Sequence, residues 1–155
     1  MSISRILVVG AGQMGAGIAQ VAAQAEMAVT LTDISVDYAR RGLDRISKTL
    51  GRLVDKGRLA TEERDSILSR ITVAPDLEAA VRGADLVIEA IVEERAAKSD
   101  LWSRLADICP PDVIFASNTS SISITSMGSD SRRADRFIGM HFMNPVPIMQ
   151  LVEVV

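Results

Sequence analysis

The sequence predicts an α/β domain: a doubly wound, mostly parallel sheet with helices on both faces. Three observations predict it. Short apolar runs that read as buried strands alternate with stretches of helical periodicity, the pattern of βαβ units. The first run ends in a glycine-rich turn, residues 10–15. Polar residues able to do chemistry (Asp33, Glu89 to Glu93, Ser117 to Ser121, His141 to Asn144) each fall at or just after a strand end. Open α/β sheets bind their ligands there, where the strand order reverses.

Element by element, residues 5–10 (RILVVG) form a continuous apolar run that reads as a strand covered on both faces. Ile18, Val21, Ala22 and Ala25 then follow helical spacing, and residues 28–33 (AVTLTD) read as a second strand. From Ser35 a long helix is expected, with Val36, Ala39, Leu43, Ile46, Leu50 and Leu53 as its stripe and Gly57 as its stop. Thr61, followed by Glu62 and Glu63, reads as the N-cap of a second helix. Residues 35–70 thus predict a helical hairpin, longer than a plain crossover needs. Residues 71–74 are a short strand, Asp76 caps a brief helix ending near Gly83, and residues 84–90 are another buried strand. A helix from Glu94 to Ile108, with Ala97, Leu101, Leu105 and Ile108 facing inward, ends at Pro110 and Pro111. Residues 112–116 and 136–142 are strands, separated by the polar run SNTSS (117–121) and a short helix. After the turn NPVP (144–147), residues 149–155 begin one more strand.

The chain has 155 residues, about one domain on the usual size scale, and residues 1–155 are taken as one unit. Lys and Arg number 17 against 20 Asp and Glu, a net of −3, which excludes a broadly basic nucleic-acid surface. A single cysteine, Cys109, excludes an internal disulfide framework. With His141 as the only histidine, no soft-donor metal cage is expected, although carboxylate sites stay open. No apolar run approaches the roughly 18 residues of a membrane span, and the N-terminus lacks the features of a secretory signal. A cytoplasmic protein with no nucleic-acid or membrane partner is expected.

The run GAGQMG carries the first candidate site: Gly10, Ala11, Gly12, Gln13, Met14 and Gly15. In this spacing the first glycine makes a tight turn, the second lets backbone approach a pyrophosphate, and the third lets the helix pack close to the strand. Free N–H groups at the helix N-terminus then face the phosphates. Asp33 follows Gly12 by 33 − 12 = 21 residues, at the end of the next strand. A carboxylate there accepts from the adenosine ribose hydroxyls and repels a 2′-phosphate, so NAD is expected rather than NADP. The alternative is a glycine turn that only packs, with Asp33 as a helix cap.

Removing hydride from an alcohol carbon needs a base for the hydroxyl proton, a role histidine suits, and His141 is the only histidine. Glu153 interrupts an otherwise apolar strand, where a charge is costly unless paired. Two strands joined by the NPVP turn would bring it beside His141, fixing the tautomer of the ring. The alternative is a histidine that is only hydrogen-bonded structure and a glutamate on an exposed edge. The SNTSS hydroxyls would either hold a substrate carbonyl or cap the next helix through Ser121.

Taken together, VVGAGQMGAGIAQ, VIEAIVEE, FASNTSSISIT and GMHFMNPVPIMQLVEVV make the chain resemble the N-terminal cofactor domain of the L-3-hydroxyacyl-CoA dehydrogenases, including the 3-hydroxybutyryl-CoA dehydrogenases, throughout its length. The resemblance implies a Rossmann fold, with NAD as cofactor and an acyl-CoA as substrate. It implies reversible oxidation of L-3-hydroxyacyl-CoA to 3-ketoacyl-CoA, as in fatty acid β-oxidation. It assigns His141 as general base, Glu153 as the residue that orients it, and Ser120 as the hydroxyl at the reacting oxygen. Asp33 becomes the ribose ligand, and Glu93, Lys98, Ser120 and Asn144 line the nicotinamide side. Thr49 and Lys56 contact coenzyme A. Family members continue into a helical domain that closes over the substrate and forms a homodimer. That domain is absent from this sequence, so NAD binding with poor turnover and an exposed apolar docking face are expected. A non-catalytic NAD-binding module, or a dehydrogenase of CoA-free hydroxy acids such as L-gulonate, are the competing functions.

Overall fold

A computed structural model describes residues 2–155. Seven strands form one sheet in the order β3-β2-β1-β4-β5-β6-β7. They are β1 (Arg5–Val9), β2 (Ala28–Thr32), β3 (Ile71–Val73), β4 (Leu86–Glu89), β5 (Ile114–Ser117), β6 (Phe137–Phe142) and β7 (Val152–Val154). All pairings are parallel except the last, where β7 returns antiparallel along β6. The order reverses at β1, between β2 and β4, so the crevice of a doubly wound sheet opens there.

The helices are α1 (Gln13–Gln24), α2 (Val36–Asp55), α3 (Thr61–Ser69), α4 (Leu77–Ala80), α5 (Arg95–Ile108) and α6 (Ile124–Asp130). Because strand side chains alternate, Ile6, Val8, Leu86, Ile88 and Ala116 face one core with Ile18, Ile46, Leu50 and Ile67 of α1 to α3. Leu7, Val9, Val87, Phe115 and Phe137 face the other, with Leu77, Leu101, Trp102, Leu105 and Met127 of α4 to α6. The two-sided burial explains the unbroken apolar character of β1 and β4. The alternation also puts Glu89, Ser117 and His141 on the α5 face, in phase with Val87, Phe115 and Phe137.

Local chemistry sets several boundaries as expected. Ser35 caps α2 through the Tyr38 N–H, Asp76 caps α4 through the Ala79 N–H, and α2 ends at Asp55, two residues before Gly57, whose φ of 67° suits glycine. Elsewhere the structure corrects the sequence. Thr61 is the first helical residue of α3 and Ala60 its cap position, with no side-chain cap bond. The cap of α6 is Ser123, not Ser121. On α1, Val21 is half-buried and Ala25 exposed, because packing shifts burial to Ala16, Ile18, Ala19, Ala22 and Ala23. On α5 the inward stripe is Lys98, Leu101, Trp102 and Leu105, whereas Ala97 and Ile108 are half-buried. Trp102 is fully buried and packs edge-on against Phe137 at 4.7 Å and tilted against Phe115 at 5.2 Å. Among the described residues no helix is long and apolar enough to cross a membrane.

Candidate active site

The glycine turn joins β1 to the first turn of α1. Gly10 has φ 103° and abuts the β4–α5 connection so closely that a Cβ would lie 2.4 Å from the Ala90 carbonyl oxygen. A Cβ on Gly15 would lie 1.7 Å from the Gly10 carbonyl oxygen, so strand and helix touch there. Gly12, by contrast, faces open space, with nothing within 4 Å of a Cβ. Two positions are thus closed by the protein's own backbone. The third leaves room at a helix N-terminus, as a pyrophosphate requires. Asp33 stands directly beside the turn: Oδ2 accepts the Ala11 N–H at 2.6 Å and Oδ1 the Ile34 N–H at 2.7 Å.

On the other side of the turn lies a cavity of about 330 Å³. It is lined by Met14, Ala90, Ile91, Glu93, Lys98, Asn118, Ser120, His141, Phe142, Met143 and Asn144. Six elements or connections converge there because each runs off the carboxyl end of a strand or into the helix that follows. At its rim β6 and β7 place His141 opposite Glu153 in register, with Nδ1 and Oε2 2.9 Å apart. A carboxylate at Nδ1 holds the proton there and leaves Nε2 as the acceptor, the arrangement a general base needs. Glu153 is about half exposed, so its charge costs little in this edge strand.

Glu93 organises the Ser-Thr segment. Its Oε1 accepts from the Thr119 hydroxyl, the Ser120 N–H at 3.1 Å and the Ser121 hydroxyl at 3.3 Å. Its Oε2 pairs with the Lys98 ammonium at 3.1 Å. Burial alone pushes the Glu93 carboxyl up, but the Thr119 hydroxyl, Lys98 and the Ser120 N–H outweigh it and hold it at about 2. Ser121 therefore serves this carboxylate rather than α6. Asn144 is shared. Its Oδ1 accepts from Gln13 Nε2 at 3.2 Å, and its side chain lines both this cavity and a second groove of about 380 Å³ between α1, α2 and the 144–148 segment. Thr49 lines that groove with Gln20, Arg45 and Leu53; Lys56, capping α2, is exposed and is not among its lining residues.

The sequence marks Glu89 only as one of the polar residues at a strand end and assigns it no role. It is completely buried at the end of β4, with Lys98 Nζ 2.5 Å from Oε1 and the Ser117 hydroxyl 2.6 Å from Oε2. An acid closing an apolar strand at the sheet's reversal point was the available signal.

Comparison with known proteins agrees with this geometry. The family model for the 3-hydroxyacyl-CoA dehydrogenase NAD binding domain matches residues 5–155. A probable 3-hydroxybutyryl-CoA dehydrogenase of Bacillus subtilis is 50% identical over 155 residues, which cover 100% of this chain and 54% of that protein. One from Deinococcus radiodurans is 51% identical over 148 residues, covering 96% and 52%. The crystal structure of (S)-3-hydroxybutyryl-CoA dehydrogenase from Ralstonia eutropha superposes with a TM-score of 0.95 at 42% identity, covering 99% of this chain and 54% of that one. The chain thus spans about half the length of the relatives it matches. With the glycine turn, Asp33 beside it and the parallel sheet all in place, the chain belongs to the NAD-binding domain family of the 3-hydroxyacyl-CoA dehydrogenases.

Proposed function

We propose that the chain supplies the cofactor and acid–base half of a dehydrogenase that interconverts L-3-hydroxyacyl-CoA and 3-ketoacyl-CoA. The observation that carries the reading is the 2.9 Å His141–Glu153 pair at the rim of the cavity lined by Lys98, Ser120 and Asn144. Holding a dinucleotide needs neither residue of the pair, which favours an enzyme over a passive NAD-binding module.

NAD, when bound, supplies the hydride acceptor. Gly12 and the N-terminus of α1 leave space for its pyrophosphate, and Asp33 offers its carboxylate to the adenosine ribose. His141 Nε2 takes the proton of the substrate hydroxyl, and Glu153 stabilises the imidazolium that forms. In the opposite direction the same imidazolium returns the proton to the alkoxide. Ser120 holds the reacting oxygen, its backbone fixed by Glu93. Asn144, between the two cavities, and Thr49 in the groove mark the path of the coenzyme A chain toward Lys56. The reading carries β-oxidation chemistry, a cytoplasmic location and a homodimer for the complete enzyme.

The test uses excess protein with stoichiometric NADH, followed at 340 nm after adding acetoacetyl-CoA or free acetoacetate. Oxidation with the thioester that disappears in His141→Ala is expected. Bound NADH left untouched by both compounds would sink the enzymatic reading; equal reaction with both would sink the coenzyme A assignment.

A further inference from the structure

Glu89 lies outside the acid–base pair, yet it ties three segments around the cavity together. Its Oε1 accepts from Lys98 Nζ at 2.5 Å and from the Ile91 N–H at 2.8 Å. Its Oε2 accepts from the Ser117 hydroxyl at 2.6 Å, and Ser117 Oγ in turn accepts the Thr119 N–H at 3.2 Å. One carboxylate thus joins the β4–α5 connection, helix α5 and the β5–α6 connection.

As a stabilising device this is a poor arrangement. Glu89 is 0% exposed and Lys98 1%, and a buried ion pair contributes no more than apolar side chains of similar volume. What it achieves is placement. Ammonium groups carry three N–H donors; Glu89 and Glu93 take two of them, which leaves one for an oxygen in the cavity that Lys98 lines. Glu93, held by the same ammonium, pins Thr119, Ser120 and Ser121. The chain of contacts therefore runs Glu89, Lys98, Glu93, Ser120.

We propose that Glu89 is a positioning residue for the nicotinamide half of the cofactor: it fixes the Lys98 ammonium in the cavity wall and, through Glu93, the Ser120 segment beside His141. This rests on the reading above that places the nicotinamide in that cavity. Glu89 does not serve the adenosine half, which lies with Gly12 and Asp33 on the other side of the turn.

The test is a titration of this chain with NADH and, separately, with ADP-ribose, which lacks the nicotinamide. Wild-type protein comes first: NADH held no more tightly than ADP-ribose would strike the nicotinamide placement itself and this proposal with it. If NADH is favoured, Glu89→Gln is expected to weaken NADH by about tenfold or more and to leave ADP-ribose within about twofold. A purely structural role would weaken both in step. In a double-mutant cycle, Glu89→Gln added to Lys98→Met should cost no further NADH affinity, since both act through one ammonium. Should Glu89→Gln fail to fold by circular dichroism, the Glu89→Gln/Lys98→Met variant, which removes both charges together, decides by the same pair of titrations. Unchanged NADH affinity, a parallel loss of both ligands, or losses that multiply in the cycle would overturn the proposal.

Discussion

Alanine at Gly12 and alanine at Gly15 should fail in opposite ways. Gly12 caps α1 with φ −68° and ψ −165°, extended backbone that any residue adopts, and its Cβ would meet nothing within 4 Å. Two small effects oppose each other. Restricting the unfolded chain gains about 0.4–1 kcal/mol, while losing glycine at an N-cap position costs a similar amount. The net should stay within about 1 kcal/mol, or about 2–4 °C in Tm for a chain of this size. The methyl group, however, fills the space that the proposed function gives to the pyrophosphate. Overpacking of about 1–3 kcal/mol corresponds to NADH affinity lower by about 5–150-fold. Gly15→Ala is the reverse case. Its Cβ would lie 1.7 Å from the Gly10 carbonyl oxygen, and real Cβ contacts do not fall below 3.0 Å, so α1 must retreat from β1 by at least 3.0 − 1.7 = 1.3 Å. Backbone cannot swing aside as a side chain does, so stability should drop by at least the overpacking range. Thermal melts and NADH fluorescence titrations of both variants read the contrast. A Gly12→Ala chain that binds NADH like wild type would refute the assignment of that space to the pyrophosphate.

Other outcomes follow from the same structure. His141→Ala should keep NADH affinity and lower acetoacetyl-CoA reduction by about 10²–10⁴-fold, read by stopped-flow absorbance. Trp102→Ala, emptying a fully buried site between Phe115 and Phe137, should cost about 3–5 kcal/mol in urea unfolding. Glu93 is held at about 2, below the 4.5 of a free glutamate, and Asp85, bonded by the Ser4 and Arg5 N–H groups, is held at about 2, below 3.8. Both carboxylates bind protons more readily when unfolded, so their stabilisation is complete above about pH 4.5 and fades as pH falls toward 2. Asp85→Asn should flatten that acid limb. Cys109 is buried, which pushes its thiol up to about 11; iodoacetamide at pH 8 should modify it only after denaturation, by mass spectrometry.

Much of the fold was legible because its signals are local. The glycine turn, the buried runs of β1 and β4, the Ser35 cap and the stop at Gly57 are each set by neighbouring residues. The His141–Glu153 pairing was legible for a similar reason: two short strands joined by one turn leave few ways to align. What periodicity misread is what distant partners decide. Lys98 counts as polar in a helical pattern, so the stripe of α5 was drawn through Ala97 and Ile108. Carboxylates on β4 and the following connection draw Lys98 inside, and Trp102 follows it onto the same face. Ser121 reads as a cap until Glu93, 28 residues earlier, is seen to claim its hydroxyl. Glu89 was legible as a polar residue at a strand end but not in its role, because its partners lie on a helix and a strand that only the folded sheet brings together.

The pairing of β7 with β6 makes the alignment of His141 with Glu153 a matter of counting. Successive side chains alternate faces, so deleting one residue between 143 and 151 would turn the glutamate at 153 away from the imidazole altogether. Deleting two would restore its face but set it about 7 Å along the strand, one full rung from its partner. The connection should therefore accept many changes of side chain and very few of length, and an engineer grafting this hairpin elsewhere would need to carry its residue count intact before its composition.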